Sequence, residues 1–405
     1  MFQFTRLSYT LITPFLLLIV GFNFIGSSKI DVTKQLVVAQ EQLLLADQAR
    51  PNPTPTRIPH SLKPDGSLND RETAWWCSGF FSGNLWYLYE YTKDPKWKAM
   101  AEKWTNPLEK EQFNKGTHDL GFMLYCSYGN GYRLTNNPKY KDIMIEGAKS
   151  LASRFDPQVG CIKSWNNLKK GDVVYQYPVI IDNMMNLEFL FWATKVTGDS
   201  TFYKICITHA DNTLKYHFRP DGSSVHVVCY DPNGKVLARK THQGLSDDSA
   251  WARGQAWGLY GYTVMYRETK QQRYLDQAIK IADFYLNHPN LPADKIPVWD
   301  FNAAANEERD ASAGAITASA LLELSKYTKG KKGKNYIKAA EQMLVSLSSP
   351  VYQAKVGDNH NFILMHSVGA KSLNSEIDVP LVYADYYYIE ALLRYKAMRD
   401  ERKSR

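Results

Sequence analysis

The chain has 405 residues, 44% of them hydrophobic, which suffices to bury one large core or two to three ordinary ones. Its net charge of +8 favours anionic partners, yet part of the excess sits in two runs that read as solvated surface, Lys329, Lys331, Lys332, Lys334 and Arg399, Arg402, Lys403, Arg405. No basic stripe interleaved with aromatics is present, which argues against nucleic acid, and five cysteines without short regular spacing argue against a disulfide scaffold and a zinc site.

Residues 1–28 begin with Arg6 in a short polar start, pass through the apolar run Leu11 to Gly26 and end in Ser27 and Ser28. That is the pattern of a cleaved secretory signal, so export to the periplasm or medium is expected, without stable membrane insertion afterwards. The run is short for a membrane anchor and contains Pro14. Cys77, Cys126, Cys161, Cys206 and Cys229 are then expected as buried free thiols.

Four later segments share one turn pattern. A Thr closes an apolar helix and an aromatic five residues on opens the next: Thr92 with Trp97, Thr135 with Tyr140, Thr197 with Phe202, Thr269 with Tyr274. A stretched fifth copy joins Thr328 to Tyr336. Helical periodicity on both sides predicts pairs at 72–91 and 97–106, 118–134 and 138–153, 180–196 and 200–216, 248–268 and 271–287, 310–327 and 334–347. Segments 30–50 and 381–398 bring the count to twelve. Six hairpins suggest an all-α fold, an (α/α)6 barrel over residues 29–405 with long loops at its mouth. A solenoid or irregular bundle fits the periodicity too, but the repeat intervals are unequal, and connections at 154–179, 217–247 and 288–309 look functional. A small hairpin is expected around Asp231 to Gly234.

The stretch His242 to Tyr262, HQGLSDDSAWARGQAWGLYGY, carries too many polar groups for a plain core helix. Asp247, Asp248 and Ser249 are candidate helix caps. Gly254, Gly258 and Gly261 share one face that would admit a close neighbour. At about 100° per residue Trp251 and Gln255 point one way and Arg253 and Trp257 another, so only some of them can face a ligand. Asp119 and Asp182 each stand at the start of a strongly apolar inner helix, where a carboxylate either caps the helix or joins a shared mouth. Two carboxylates at one mouth can transfer protons to and from a sugar.

The strings HDLGF at Asp119, DNMMNLEFLFWA at Asp182, DDSAWARGQAWGLYGY from Asp247, and WDF at Trp299 followed by RDASAGAITASALLEL resemble the unsaturated glucuronyl hydrolases, glycoside hydrolase family 88. The resemblance covers about Thr73 to Arg394. It implies an (α/α)6 barrel acting on lyase-made oligosaccharides that end in a 4,5-unsaturated uronic acid. It also implies a reaction in which C4 of the vinyl ether is protonated, water adds at C5, and the hemiketal opens to release the next sugar. By their motifs Asp182 would be the general acid/base and Asp119 the second carboxylate. His118, Trp76, His226, Gln243, Arg253 and Trp257 would be substrate contacts. Arg253 or His226 would anchor the uronate carboxylate. Trp76, Trp165 and Trp257 are stacking candidates, each equally readable as barrel core.

No metal or cofactor is implied, since His60, His209, His217, His288 and His360 show no ligand spacing. The loop MHSVGAKSLNSEID, with His366, Ser367 and Lys371, is expected to recognise a sulfate on the adjoining sugar, as in ulvan or glycosaminoglycan fragments. Two readings compete with glucuronyl hydrolysis: the related unsaturated rhamnogalacturonyl hydrolases of pectin degradation, and a noncatalytic glycan-binding barrel.

Overall fold

The computed structural model describes residues 30–403, so the expected signal at 1–28 lies outside the described residues. Twelve α-helices follow in order: α1 Val32–Ala49, α2 Gly79–Thr92, α3 Pro95–Thr105, α4 Asn130–Thr135, α5 Pro138–Ala152, α6 Leu187–Thr197, α7 Ser200–Tyr216, α8 Ala252–Thr269, α9 Gln272–Asn287, α10 Ala311–Leu324, α11 Gly330–Leu347 and α12 Val382–Lys403. A π-helical stretch, Gly121–Gly129, runs straight into α4, and a 3₁₀ turn, Ile181–Asn186, into α6.

The helices form two concentric layers. Inner neighbours α2, the π-helical stretch, α6, α8, α10 and α12 touch in turn, and α12 packs on α2 to close the ring. Each inner helix except α12 is followed by its outer partner, and α12 is backed by α1 from the other end of the chain. The expected (α/α)6 barrel is therefore the fold. Sequence patterning explains the layering: α8 and α10 are buried over most or all of their length, whereas outer α9 and α11 bury one stripe.

The recurrent Thr is what sharpens each hairpin. At Thr197 the hydroxyl donates to Ala193 O (2.7 Å) and accepts from Asp199 N (3.1 Å), while Asp199 caps α7 by accepting from Thr201 N (2.8 Å). The residue between, Gly198, is left-handed with φ 77°. Thr92, Thr135 and Thr269 repeat both hydroxyl bonds, with Lys93, Asn136 and Lys270 taking the left-handed position. The aromatics five residues on, Trp97, Tyr140, Phe202 and Tyr274, are all buried and anchor the outer helices.

Because every hairpin reverses the chain, the inner helices all enter the ring from one side and their N-terminal ends gather at one mouth. Their C-terminal halves are tied by ion pairs instead, Arg267 with Glu323 (3.0 Å) and Arg394 with Glu323 (3.1 Å) and Glu390 (3.3 Å). The long connections build the mouth. Tyr177–Ile180 pairs antiparallel with Val227–Tyr230, which turns through Asp231 to Gly234 and pairs with Val236–Lys240. The hairpin was legible in the sequence; its third strand was not.

Of the glycines expected to admit a neighbour, Gly261 does so most directly: a Cβ there would lie 2.5 Å from Met184 Cβ. Gly261→Ala is expected to cost about 1–3 kcal/mol by overpacking and to lower the melting temperature accordingly. An unchanged melting curve would show that α8 and the Asp182 segment can move apart freely.

Candidate active site

Asp119 and Asp182 are brought to one cleft of about 240 Å³ at the mouth. Asp119 directly precedes the π-helical stretch, and Asp182 sits in the 3₁₀ turn before α6. The two segments are fastened by Asn186, whose Oδ1 accepts from Gly121 N (2.8 Å) and Phe122 N (3.3 Å). Asn183 secures the same turn by donating to Ile162 O (2.8 Å) and Ser164 Oγ (2.9 Å). The spacing of the acids is thus set by buried amide side chains rather than by surface loops.

Burial raises both acids. Each is only 8% exposed, and desolvation pushes Asp119 and Asp182 up to about 7. The Arg253 charge opposes the rise at Asp182, and the negative charge of Asp119 adds to it. At Asp119 the hydroxyl of Thr117, donating to Oδ2 (2.8 Å), opposes it. A carboxyl group with this proton affinity can both give and take a proton near neutrality.

Each acid has a neutral histidine beside it, in opposite tautomers. His118 Nδ1 donates to Ser164 O (3.0 Å), so its unprotonated Nε2 faces Asp119 Oδ1 at 3.1 Å without an aligned hydrogen bond. Burial lowers His118 to about 3. A bare carboxylate facing that lone pair is disfavoured, in keeping with the raised affinity of Asp119 for a proton. His226 Nδ1 accepts from His242 N (3.2 Å) and Gln243 N (3.1 Å), which leaves the proton on Nε2, 3.7 Å from Asp182 Oδ2. Burial, aided by His242, holds His226 well below the usual histidine range. It therefore carries no charge with which to anchor a uronate.

Trp76, His118, Asp119, Trp165, Asp182, Gln243 and Arg253 all line the cleft. The remaining sequence candidates do not. His226 stands behind Asp182, tilted against Trp251 with ring centres 4.6 Å apart. Trp257 is fully buried, packed on Phe122 and Tyr387, and offers no face to a sugar. The loop expected to meet a sulfate does reach the cleft, through Ala370, Leu373, Ser375 and Glu376, but not through its two basic residues. His366 is turned out toward Asp378, and Lys371 is held by Glu307 and Glu308, so neither reaches the cleft.

The role expected of Arg253 changes too. It is 1% exposed and spends its guanidinium on Asp310 Oδ2 (3.2 Å), Val368 O and Gly369 O (2.5 Å). Asp310 also caps α10 through Ser312 N and Ala313 N. Arg253 is first of all the pin that holds the 368–369 loop against the ring.

Two local expectations also differ. Helix α8 begins at Ala252, because Asp247 accepts from Thr241 N (2.8 Å) and pairs with Lys240 (2.8 Å) instead of capping. Gln255 does point away from the cleft, bonded to Ser224 N and Gly222 O, but Trp251 serves the site by bracing His226. Unselected residues complete the wall, among them Arg71, Trp75, His242, Glu376 and Tyr383. Arg71 ends a short strand that no periodicity marks, and Glu376 lies in the 365–378 loop, where the sequence drew attention to the basic residues instead. All five cysteines are buried free thiols, as expected. Among the described residues there is no group of three potential metal ligands and no helix long and apolar enough to cross a membrane.

Comparison with known proteins decides the family. The sequence model of Glycosyl Hydrolase Family 88 matches residues 52–394. The chain belongs to this family. It is similar to the unsaturated glucuronyl hydrolase of Formosa agariphila, with 49% identity over 79% of each chain. It is likewise similar to that of Bacillus sp. strain GL1, with 33% identity over 84% of this chain and 90% of the relative. A crystal structure of an unsaturated glucuronyl hydrolase specific for heparin superposes with a TM-score of 0.87 at 50% identity, covering 91% of this chain and 98% of the other. The family 88 chain described here is accordingly a glycoside hydrolase of the unsaturated glucuronyl type.

Proposed function

We propose that this hydrolase, with residues 29–405 as its catalytic barrel, removes a 4,5-unsaturated glucuronic acid from the nonreducing end of lyase-made oligosaccharides. The observation that carries the reading is the pair of buried carboxyl groups raised to about 7, each flanked by a neutral histidine, in one sugar-sized cleft. Asp182 delivers a proton to C4 of the vinyl ether. Positive charge then develops across C5 and the ring oxygen, and the carboxylate left on Asp182 by that transfer stabilises it. Water adds at C5, with Asp182, now a carboxylate, taking the proton back. The hemiketal opens and C1 loses the next sugar, so the glycosidic bond is never attacked directly. His226 Nε2–H steadies the transient Asp182 carboxylate. Trp76 and Trp165, half-buried on the wall, supply apolar faces to the sugar rings.

The acid form must be present for the first step, so kcat should fall as pH rises through about 7, where both carboxyl groups lose their protons. A pH–rate profile on an unsaturated disaccharide checks this; a flat profile between pH 6 and 9 would remove Asp182 as the proton donor. Loss of the ultraviolet absorbance of the conjugated double bond tests the activity itself.

The substrate we favour is sulfated, either uronyl-rhamnose 3-sulfate from ulvan or a glycosaminoglycan disaccharide. The net charge of +8 supports it, as do relatives named for heparin and chondroitin disaccharides. The apolar leader at 1–28 supports export, which cell fractionation would test.

A further inference from the structure

We propose that Arg71 binds the acidic substituent of the substrate sugar, its carboxylate or a sulfate. The inference rests on the unsaturated uronide reading above. An anionic ligand entering a closed cleft needs a cation whose charge is not already spent, and the wall holds two guanidinium groups, Arg71 and Arg253. Arg253 is spent on Asp310 and two carbonyls.

Arg71 is not. It ends the strand Leu68–Arg71, half-buried, and among the described residues no ion pair or side-chain hydrogen bond engages it. Its Nε is buried with no hydrogen-bond partner, as is the indole Nε1 of Trp75. A buried donor without a partner is costly, so two side by side on a cleft wall point to a ligand that takes them up. No neighbouring acid pairs with it, although the Glu376 carboxylate feels its charge. Asp70 pairs with Arg50 (3.3 Å), and Glu376, the wall acid on this side, is hydrogen-bonded to the buried His60. The guanidinium lies over the Trp75 ring with its carbon 4.4 Å from the ring centre, which fixes the plane of the fork without consuming its hydrogen bonds.

Arg71→Met and Arg71→Lys are assayed against two unsaturated disaccharides, one unsulfated and one sulfated on the adjoining sugar. The methionine keeps an apolar stem over Trp75 and removes the charge. KM is expected to rise about 10- to 100-fold in Arg71→Met with kcat within about threefold of wild type, and the lysine to recover part of the loss. A rise on both substrates identifies the carboxylate as the bound group; a rise on the sulfated one alone identifies the sulfate. The salt dependence of wild-type KM should flatten in Arg71→Met, a readout that a structural role would not move. Should the methionine variant melt early, KM in Arg71→Lys carries the test, since losing the planar fork alone is expected to raise it, by less than the methionine does. Unchanged KM on both substrates, or a fall in kcat with KM unchanged, overturns the proposal. Failure of the wild type to consume any unsaturated uronide would instead overturn the function on which it rests.

Discussion

Asp182→Asn should abolish turnover and at the same time raise the melting temperature at pH 8. The kinetic half follows from chemistry: an amide cannot donate the C4 proton, and removal of a positioned general acid costs about 10²–10⁴ in rate. The stability half follows from the raised proton affinity. Asp182 binds its proton up to about 7 in the folded protein, against 3.8 for the ordinary side chain. A group raised on folding contributes stability in full below the unfolded value and loses it as pH climbs through the folded one. At pH 8 the wild type therefore holds a buried carboxylate at a cost on the order of 2–4 kcal/mol, which asparagine does not incur. Thermal melts at pH 5 and pH 8 check this: the gain should be small at the lower pH and several degrees at the higher. Activity within tenfold of wild type would reassign the acid. A variant less stable than wild type at pH 8 would show that the carboxylate is well solvated by the site.

Arg253→Met should produce the largest loss of stability of any substitution at the cleft. Asp310 is fully buried, and removing its cation leaves its charge only neutral donors on Oδ1, among them the α10 amides and the Ser312 hydroxyl, while Val368 O and Gly369 O lose their donor. Breaking one side of a buried pair costs about 3–5 kcal/mol. Because the same loop carries Glu376 and accepts from Gln243 Nε2 (3.0 Å), kcat/KM should fall with it. Adding Asp310→Asn should recover part of the melting temperature, a coupling that a double-mutant cycle measures. If Arg253→Met melted like the wild type and only KM rose, Arg253 would be a free anion receptor and the division of labour with Arg71 would be wrong.

The barrel was legible because its signals are local and repeated. Each Thr turn encodes its own hydroxyl bonds, left-handed residue and buried aromatic, and counting hairpins is enough to close a ring. Asp119 and Asp182 were legible through their motifs and through the convergence of inner helix starts. What stayed hidden lies in segments without periodicity. The start of α8 was misplaced because Asp247 found partners in Lys240 and Thr241, and no pattern reveals that a good cap has a better offer across a loop. Lys371 and His366 suggested a sulfate site by composition alone, yet Glu307, Glu308 and Asp378 claim them. The reverse holds for Arg71: an ordinary arginine in a short strand becomes significant only when its neighbours prove to be otherwise engaged. Charge in a sequence is a sum; whether any one charge is available depends on tertiary pairing.

The most direct test of the account follows two time courses in one reaction of the wild-type protein with a lyase-made unsaturated disaccharide: the absorbance of the C4=C5 double bond, and the appearance of new reducing ends. Hydration at C4 and C5 comes before the glycosidic bond opens, so the absorbance should fall at least as fast as reducing ends appear, and Asp182→Asn should stop both. Reducing ends that appear while the absorbance persists would mean that the glycosidic bond is attacked directly, and would contradict the mechanism assigned to Asp182.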